Sequence, residues 1–300
     1  MLAAKDLPTM SVVNRVKIFL EMIKFEHTVF ALPFAFTGAV LAAHGIPSLY
    51  RIFWIVMAMV GARTAAMGLN RLIDAEIDGE NPRTRNRAIP AGLLGKGTVS
   101  LFVLLAALLM VYAAYRLNTL CLYLSPPILF FLVLYSYCKR FTALSHIVLG
   151  ICISFAPLGA WIAIRGTIDP PALLLAAGVV FWLAGFDTLY ALQDLEYDRA
   201  RGLHSIPVRL GVSGSLWAAR IFHLIMLVLL TALQAVLGLG VFYMVGVAIT
   251  SVLIFYEHWL LRHGDLRKLD VAFFNMNSYI SITVFVFTLI DVLVGSRNGG

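Results

Sequence analysis

Asn70, Asp74 and Asp78 stand four residues apart, and the pattern returns as Tyr190, Asp194 and Asp198, with Asp187 about one turn earlier. On an α-helix the spacing i, i+4, i+8 lines side chains on one face, about 6 Å apart along the axis. Carboxylates that close repel one another. At membrane depth each also costs on the order of 2.5–3.5 kcal/mol on insertion scales. Such clusters persist where something positive occupies them. Arginines of the adjacent loops could do so, forming a structural ion network. Mg2+ could do so too, since it takes one or two carboxylates together with phosphate oxygens and waters. Two facing acidic clusters suit two metal ions that hold one diphosphate. A single cluster could equally be a solvated helix end; the duplicated spacing favours the metal.

The basic residues fit the same chemistry. Arg83 and Arg87 follow Asp78 closely, and Lys139 and Arg140 close the fourth apolar run. An arginine fork matches phosphate oxygens, and lysine supplies a compact charge.

The elements that must position these groups are membrane spans. Of the 300 residues, 61% are hydrophobic and 13% charged, against about 25% charged in an ordinary soluble domain. The apolar runs are long and do not alternate, which selects an all-α helix bundle over a barrel. Nine transmembrane helices are expected, at roughly 18–43, 50–71, 98–116, 119–138, 143–164, 171–193, 213–236, 239–261 and 271–293, each near the ~20 residues that a span needs. They form a single integral-membrane domain over 1–300, with the lipid bilayer as its surroundings. The net charge of +7 raises nucleic acid as a partner. That reading is rejected, because the basic residues sit in short loops between apolar runs. Cys121, Cys138 and Cys152 are scattered and form no metal spacing. No cleaved signal is expected in the first residues.

Lysine and arginine are distributed unevenly. Lys5, Arg15 and Lys17 precede or open the first span. Arg83, Arg85, Arg87 and Lys96 follow the second, Lys139 and Arg140 the fourth, Arg199, Arg201 and Arg209 the sixth, and Arg262, Arg267 and Lys268 the eighth. The opposite loops hold little beyond Arg51, Arg116, Arg165 and Arg297. This bias puts the amino terminus and the motif loops in the cytoplasm, and so the active site at the inner face of the cytoplasmic membrane. "NRLIDAEIDGENPRTRNR" after the second span and "YALQDLEYDRARGLHS" after the sixth suggest duplication of a four-helix unit, with a ninth helix added.

The first stretch carries NxxxDxxxD and resembles the UbiA-type intramembrane prenyltransferases; "DTLYALQDLEYDRARGLHSIPVRLG" resembles that family's second aspartate motif. "KFEHTVFALPFA", "YSYCKRFTALSHIVLG" and "PLGAWIA" are similar to family members as well, so the likeness covers about 20 to 290. It is greatest to the members that prenylate 4-hydroxybenzoate. A closely similar group prenylates a dihydroxynaphthoate on the futalosine route to menaquinone.

The resemblance implies a Mg2+-dependent transfer of a polyprenyl group from polyprenyl diphosphate to the ring carbon of a small aromatic carboxylate, as in quinone biosynthesis. Asp74, Asp78, Asp194 and Asp198 would hold the metals with Asn70 as a neutral ligand. Arg83, Arg87, Lys139 and Arg140 would hold the diphosphate. Asp74, Asp194 and Asp187 are the catalytic candidates, and Asp194 or Asp187 could take the phenol or ring proton. Arg63 lies two turns up the same helix face from Asn70, deeper than the metal cluster. Arginine at that depth is costly and marks function. It would pair the acceptor's carboxylate, with Tyr190 also on the acceptor side; an interhelical ion pair with Glu26 is the other option. Glu26 and His27 could face the pocket or serve helix packing.

An ion-coupled transporter is the alternative of another class, since intramembrane carboxylates and internal repeats occur there too. Its inverted repeats would put the clusters on opposite faces, whereas this repeat keeps both on one. Wider relatives with haem, chlorophyllide or lipid-glycerol acceptors are a third option, and Arg63 favours a small anionic acceptor over them.

Overall fold

The computed structural model describes residues 11–23, 31–261 and 269–298. Among them the regular structure is helical: α1 (Val12–Met22), α2 (Leu32–Ala43), α3 (Leu49–Ile73), α4 (Ala75–Glu80), α5 (Lys96–Leu117), α6 (Thr119–Cys138), α7 (Ser145–Arg165), α8 (Pro170–Tyr190), α9 (Leu195–Ala200), α10 (Ile206–Leu237), α11 (Val241–Leu260) and α12 (Leu269–Asn298). A 3-10 turn, Ala191–Asp194, joins α8 to α9. Lys5, Glu26, His27, Arg262, Arg267 and Lys268 lie outside the described residues.

Eight of these helical stretches are long and apolar enough to cross a membrane, and α2 is a shorter apolar helix. The nine-span expectation is consistent with this. The first span is represented by α1 and α2, on either side of residues 24–30, which are outside the described residues. The seventh helix begins earlier than expected, at Ile206 rather than 213, and runs through a kink at Gly211 (φ 67°, ψ −173°). A side chain would be strained there, so glycine permits the bend.

Large apolar side chains such as Leu101, Leu104, Leu108, Val228 and Phe255 are exposed on the helix surfaces. In a soluble protein such a surface would be a liability; here it faces lipid. The interior core gathers Phe34, Trp161, Trp182, Met226, Tyr243 and Ile280 from α2, α7, α8, α10, α11 and α12. Small residues let the backbones close up. A methyl group at Gly38 of α2 would run into the Pro157 carbonyl of α7, and one at Gly150 of α7 would meet the Val180 carbonyl of α8. Close approach of this kind is how membrane helices gain packing energy.

The two ends of the bundle are built differently. At the far end from the aspartate motifs, Arg51 Nη1 donates to the Leu117 and Ala163 carbonyls at 2.6 and 2.7 Å. One cation thereby satisfies the C-terminal carbonyls of α5 and α7. Asp291 of α12 accepts from the Gly240 and Tyr243 N–H groups at 2.7 and 3.1 Å, holding the start of α11. At the motif end lie the termini that carry the chemistry. These are the C-terminal ends of α3, α6 and α8 and the N-terminal ends of α5, α7 and α10. Both motifs therefore open at the same end of the bundle, as a direct repeat requires.

Candidate active site

The two motifs share a backbone device. α3 ends at Ile73, Asp74 follows with φ −92° and ψ 6°, and the six-residue α4 begins. In the second motif Asp194 has φ −102° and ψ 3° and is followed by the six-residue α9. Both aspartates thus sit in the sparsely used bridge region, at the break between a long helix and a short one. The i, i+4 spacing still holds across the first break, because Asp74 N–H bonds to Asn70 C=O at 2.9 Å and Asp78 N–H to Asp74 C=O at 2.7 Å. Small breaks of this kind aim side chains without interrupting the chain's course.

Asp74 is buried and heavily engaged. Asn70 Nδ2 donates to its Oδ2 at 3.0 Å, Lys139 Nζ lies 2.9 Å from Oδ2, and Arg140 Nη2 lies 3.1 Å from Oδ1. Asp78 is equally buried, with Arg87 Nη1 2.7 Å from both of its oxygens. Arg71 stands further off, 3.9 Å from Asp78. These charges are tolerated inside the bundle only because each has a partner.

The second motif is tied to the first. Asp194 accepts from Arg83 Nε at 2.8 Å, from Arg83 Nη2, and from Asn81 Nδ2 at 3.1 Å. Asn81 Oδ1 in turn accepts the Arg83 N–H at 2.9 Å, which sets the arginine's starting direction. Burial works against the Arg83 charge, yet the bonds to Asp194 hold its guanidinium above the usual range. The guanidinium also lies 5.7 Å from the Tyr190 ring centroid. Tyr197 of α9 donates to the Ile77 carbonyl of α4 at 2.8 Å, and Arg201 pairs with Glu80. The two acidic clusters face each other across one opening.

That opening leads into a cavity of about 750 Å³. Its rim holds Asn70, Asp74, Asp78, Arg83, Arg87, Lys139, Asp194 and Asp198. Arg63, Asp187 and Tyr190 line it as well, so nearly every site residue expected from the sequence comes to one place. The remaining wall is apolar, with Met59, Ile128, Phe131, Leu149 and Trp182 among its residues. Arg140 is the exception. It does not line the cavity; its guanidinium spans the Ser136 and Ile73 carbonyls at 2.7 and 2.9 Å and braces Asp74 from behind.

The donors at the rim are carboxylate and amide oxygens, the set that a hard cation prefers. Among the described residues no three Asp, Glu, His or Cys side chains converge closely enough to hold a metal by themselves. Mg2+ does not require such a cage, since it binds through one or two carboxylates plus substrate phosphates. The residues therefore fit Mg2+ shared with a diphosphate. The aspartates face arginine and lysine, and both clusters line the same cavity.

Four participants have no spacing signal: Arg71, Asn81, Tyr197 and His146. His146, at the start of α7, is buried, and its Nδ1 lies 2.7 Å from Asp187 Oδ2. A histidine in the largely apolar stretch "LSHIVLG" is the available hint.

A sequence profile of the UbiA prenyltransferase family matches residues 31–279. A 4-hydroxybenzoate octaprenyltransferase of Vibrio cholerae is 33% identical over 258 residues, spanning 84% of this chain and 88% of the relative. The apo structure of a UbiA homolog from Aeropyrum pernix K1 superposes with a TM-score of 0.81 at 32% identity, covering 89% of this chain and 98% of that one. A UbiA homolog from Archaeoglobus fulgidus, solved bound to GPP and Mg2+, shares the fold with a TM-score of 0.60 at 18% identity, covering 91% and 99%.

Proposed function

The chain belongs to the UbiA prenyltransferase family, and from that premise we propose that it transfers a polyprenyl group from polyprenyl diphosphate to a ring carbon of 4-hydroxybenzoate. It is an integral membrane prenyltransferase; the donor, the acceptor and the residue roles are the proposal. Family membership removes the transporter alternative. The observation that carries the reading is the cavity itself. It joins a charged rim, fit for a diphosphate, to an apolar wall, fit for a prenyl chain, with Arg63 among its lining. The Vibrio relative's acceptor supplies the choice of 4-hydroxybenzoate.

Asn70, Asp74, Asp78, Asp194 and Asp198 would hold Mg2+, a reading supported by their oxygen donors lining one cavity. When bound, Mg2+ supplies positive charge that offsets the charge growing on the leaving pyrophosphate. Arg83, Arg87 and Lys139 add fixed cations on the same oxygens. Arg140 keeps Asp74 in place. The apolar wall keeps water from the allylic carbon as its C–O bond opens, so the ring rather than solvent attacks. Arg63 pairs the acceptor's carboxylate and thereby presents a ring carbon to that allylic carbon, with Tyr190 at the edge of the acceptor space.

A C–C bond forms, the C–O electron pair leaves with pyrophosphate, and the ring then loses one proton to regain aromaticity. Asp194 has both oxygens bound by Arg83. Asp187 keeps one oxygen clear of any hydrogen bond to a described residue while lining the cavity. It is the better-placed proton acceptor. The loop charges favour an inward amino terminus, which supports a rim on the cytoplasmic side of the inner membrane.

The test offers the purified chain 4-hydroxybenzoate and a dihydroxynaphthoate, with Mg2+ and geranyl, farnesyl or longer diphosphates, and identifies products by mass. Prenylated 4-hydroxybenzoate is expected. Product from the naphthoate alone would replace the acceptor, and no product from either would end this assignment.

A further inference from the structure

We propose that His146 is a positioning residue that fixes Asp187 as the proton acceptor of prenyl transfer. This rests on the acceptor-side role given to Asp187 above. The reasoning starts at the amino end of α10. Ser205 caps that helix by accepting the Val208 N–H at 3.2 Å, and Pro207 has no N–H. The Ile206 N–H remains, one of the donors that a helix start leaves without an internal partner. Ile206 is buried, so water is not at hand to satisfy it. His146 Nε2 supplies the acceptor, 3.3 Å away.

That contact sets the tautomer. A neutral imidazole has one N–H and one lone pair. With the Nε2 lone pair turned to the Ile206 N–H, the ring proton is on Nδ1, and Nδ1 donates to Asp187 Oδ2 at 2.7 Å. Asp187 Oδ2 is therefore an acceptor. His146 is only 3% exposed, and both ring nitrogens have partners there. Oδ1 of Asp187 is left without a hydrogen bond to any described residue, and Asp187 lines the cavity. One imidazole thus ties α7, α8 and α10 together and leaves Asp187, on the cavity wall, a second oxygen without a hydrogen bond to any described residue. Orientation of a base by a second group is a recurrent device.

The rival account is that His146 only ties helices. A double-mutant cycle in the full-length, membrane-inserted enzyme separates the two, because a residue acting through Asp187 has nothing left to do once the carboxylate is gone. His146→Ala is expected to lower kcat at least ~10-fold with the donor KM within about 3-fold. Asp187→Asn is expected to be slower still, and the double variant no slower than Asp187→Asn alone. His146→Asn, which keeps a side-chain N–H donor, regains part of the loss. His146→Phe keeps the ring volume and carries the same cycle if the alanine variant does not fold. Losses that multiply in the double variant, a donor KM that rises in step with the fall in kcat, or Asp187→Asn turning over at the wild-type rate would each overturn the proposal. If the wild type prenylates only the naphthoate, the acceptor assignment fails by itself, and the cycle is read with that acceptor.

Discussion

Arg83, in the stretch after the first aspartate motif, closes its guanidinium on Asp194 of the second, with Nε 2.8 Å from Oδ1. The bond spans 111 positions of sequence and joins the two halves of the repeat at the mouth of the cavity. Arg83→Ala is expected to lose roughly 10²-fold in kcat, the scale for removing one preorganised donor. Arg83→Lys should recover only part, because an ammonium cannot fork onto two oxygens. Steady-state rates with the diphosphate varied give the answer, and an unchanged kcat would reduce the bridge to a structural tie.

Asp74 anchors the other cluster through Asn70, Lys139 and Arg140. Asp74→Asn keeps the side-chain shape and removes the charge. It should raise the Mg2+ concentration for half-maximal rate at least ~10-fold. A chelator should stop the wild type, and added Mg2+ should restore it. Equal Mg2+ dependence in variant and wild type would take Asp74 out of the metal set.

Arg63 lines the same cavity on α3. Arg63→Gln keeps polarity without the charge. The acceptor KM should rise about 10–100-fold, the equivalent of one charged hydrogen bond, while the donor KM stays close to the wild-type value. A rise in donor KM alone would move Arg63 to the diphosphate side.

Packing of α2 on α7 depends on Gly38, where an added methyl group meets the Pro157 carbonyl. Gly38→Ala should destabilise the bundle by about 1–3 kcal/mol, the usual cost of overpacking. A lower Tm in detergent is the expected readout, with Mg2+ dependence unchanged. An unaltered Tm would mean that the two helices can part without penalty.

The aspartates, Lys139 and Arg63 were legible because their signals are local. Helical spacing placed Asn70, Asp74 and Asp78 on one face, and the same spacing around Asp194 disclosed the repeat. Arg140 was also legible as a cation near the site, yet its neighbourhood gave no clue that it would turn to backbone carbonyls and support Asp74 rather than line the cavity. His146 carried still less: one polar letter in an apolar run, with partners 41 and 60 positions away. The break at Asp74 was hidden because the i, i+4 pattern survives it.

By itself the sequence determined that this chain fills a bilayer with helices and gathers carboxylates and cations at one end of them. Hydropathy and helical period are properties of neighbouring residues, so they can be read in order along the chain. Tertiary structure alone decided which cation meets which carboxylate. Arg87 takes Asp78, Arg83 crosses to Asp194, and Lys139 takes Asp74. It also decided that Asp187 would face the cavity with its second oxygen held by His146. Those choices follow from how six helix ends converge, and ion pairing falls off within a few ångströms, so only the packed bundle selects the partners.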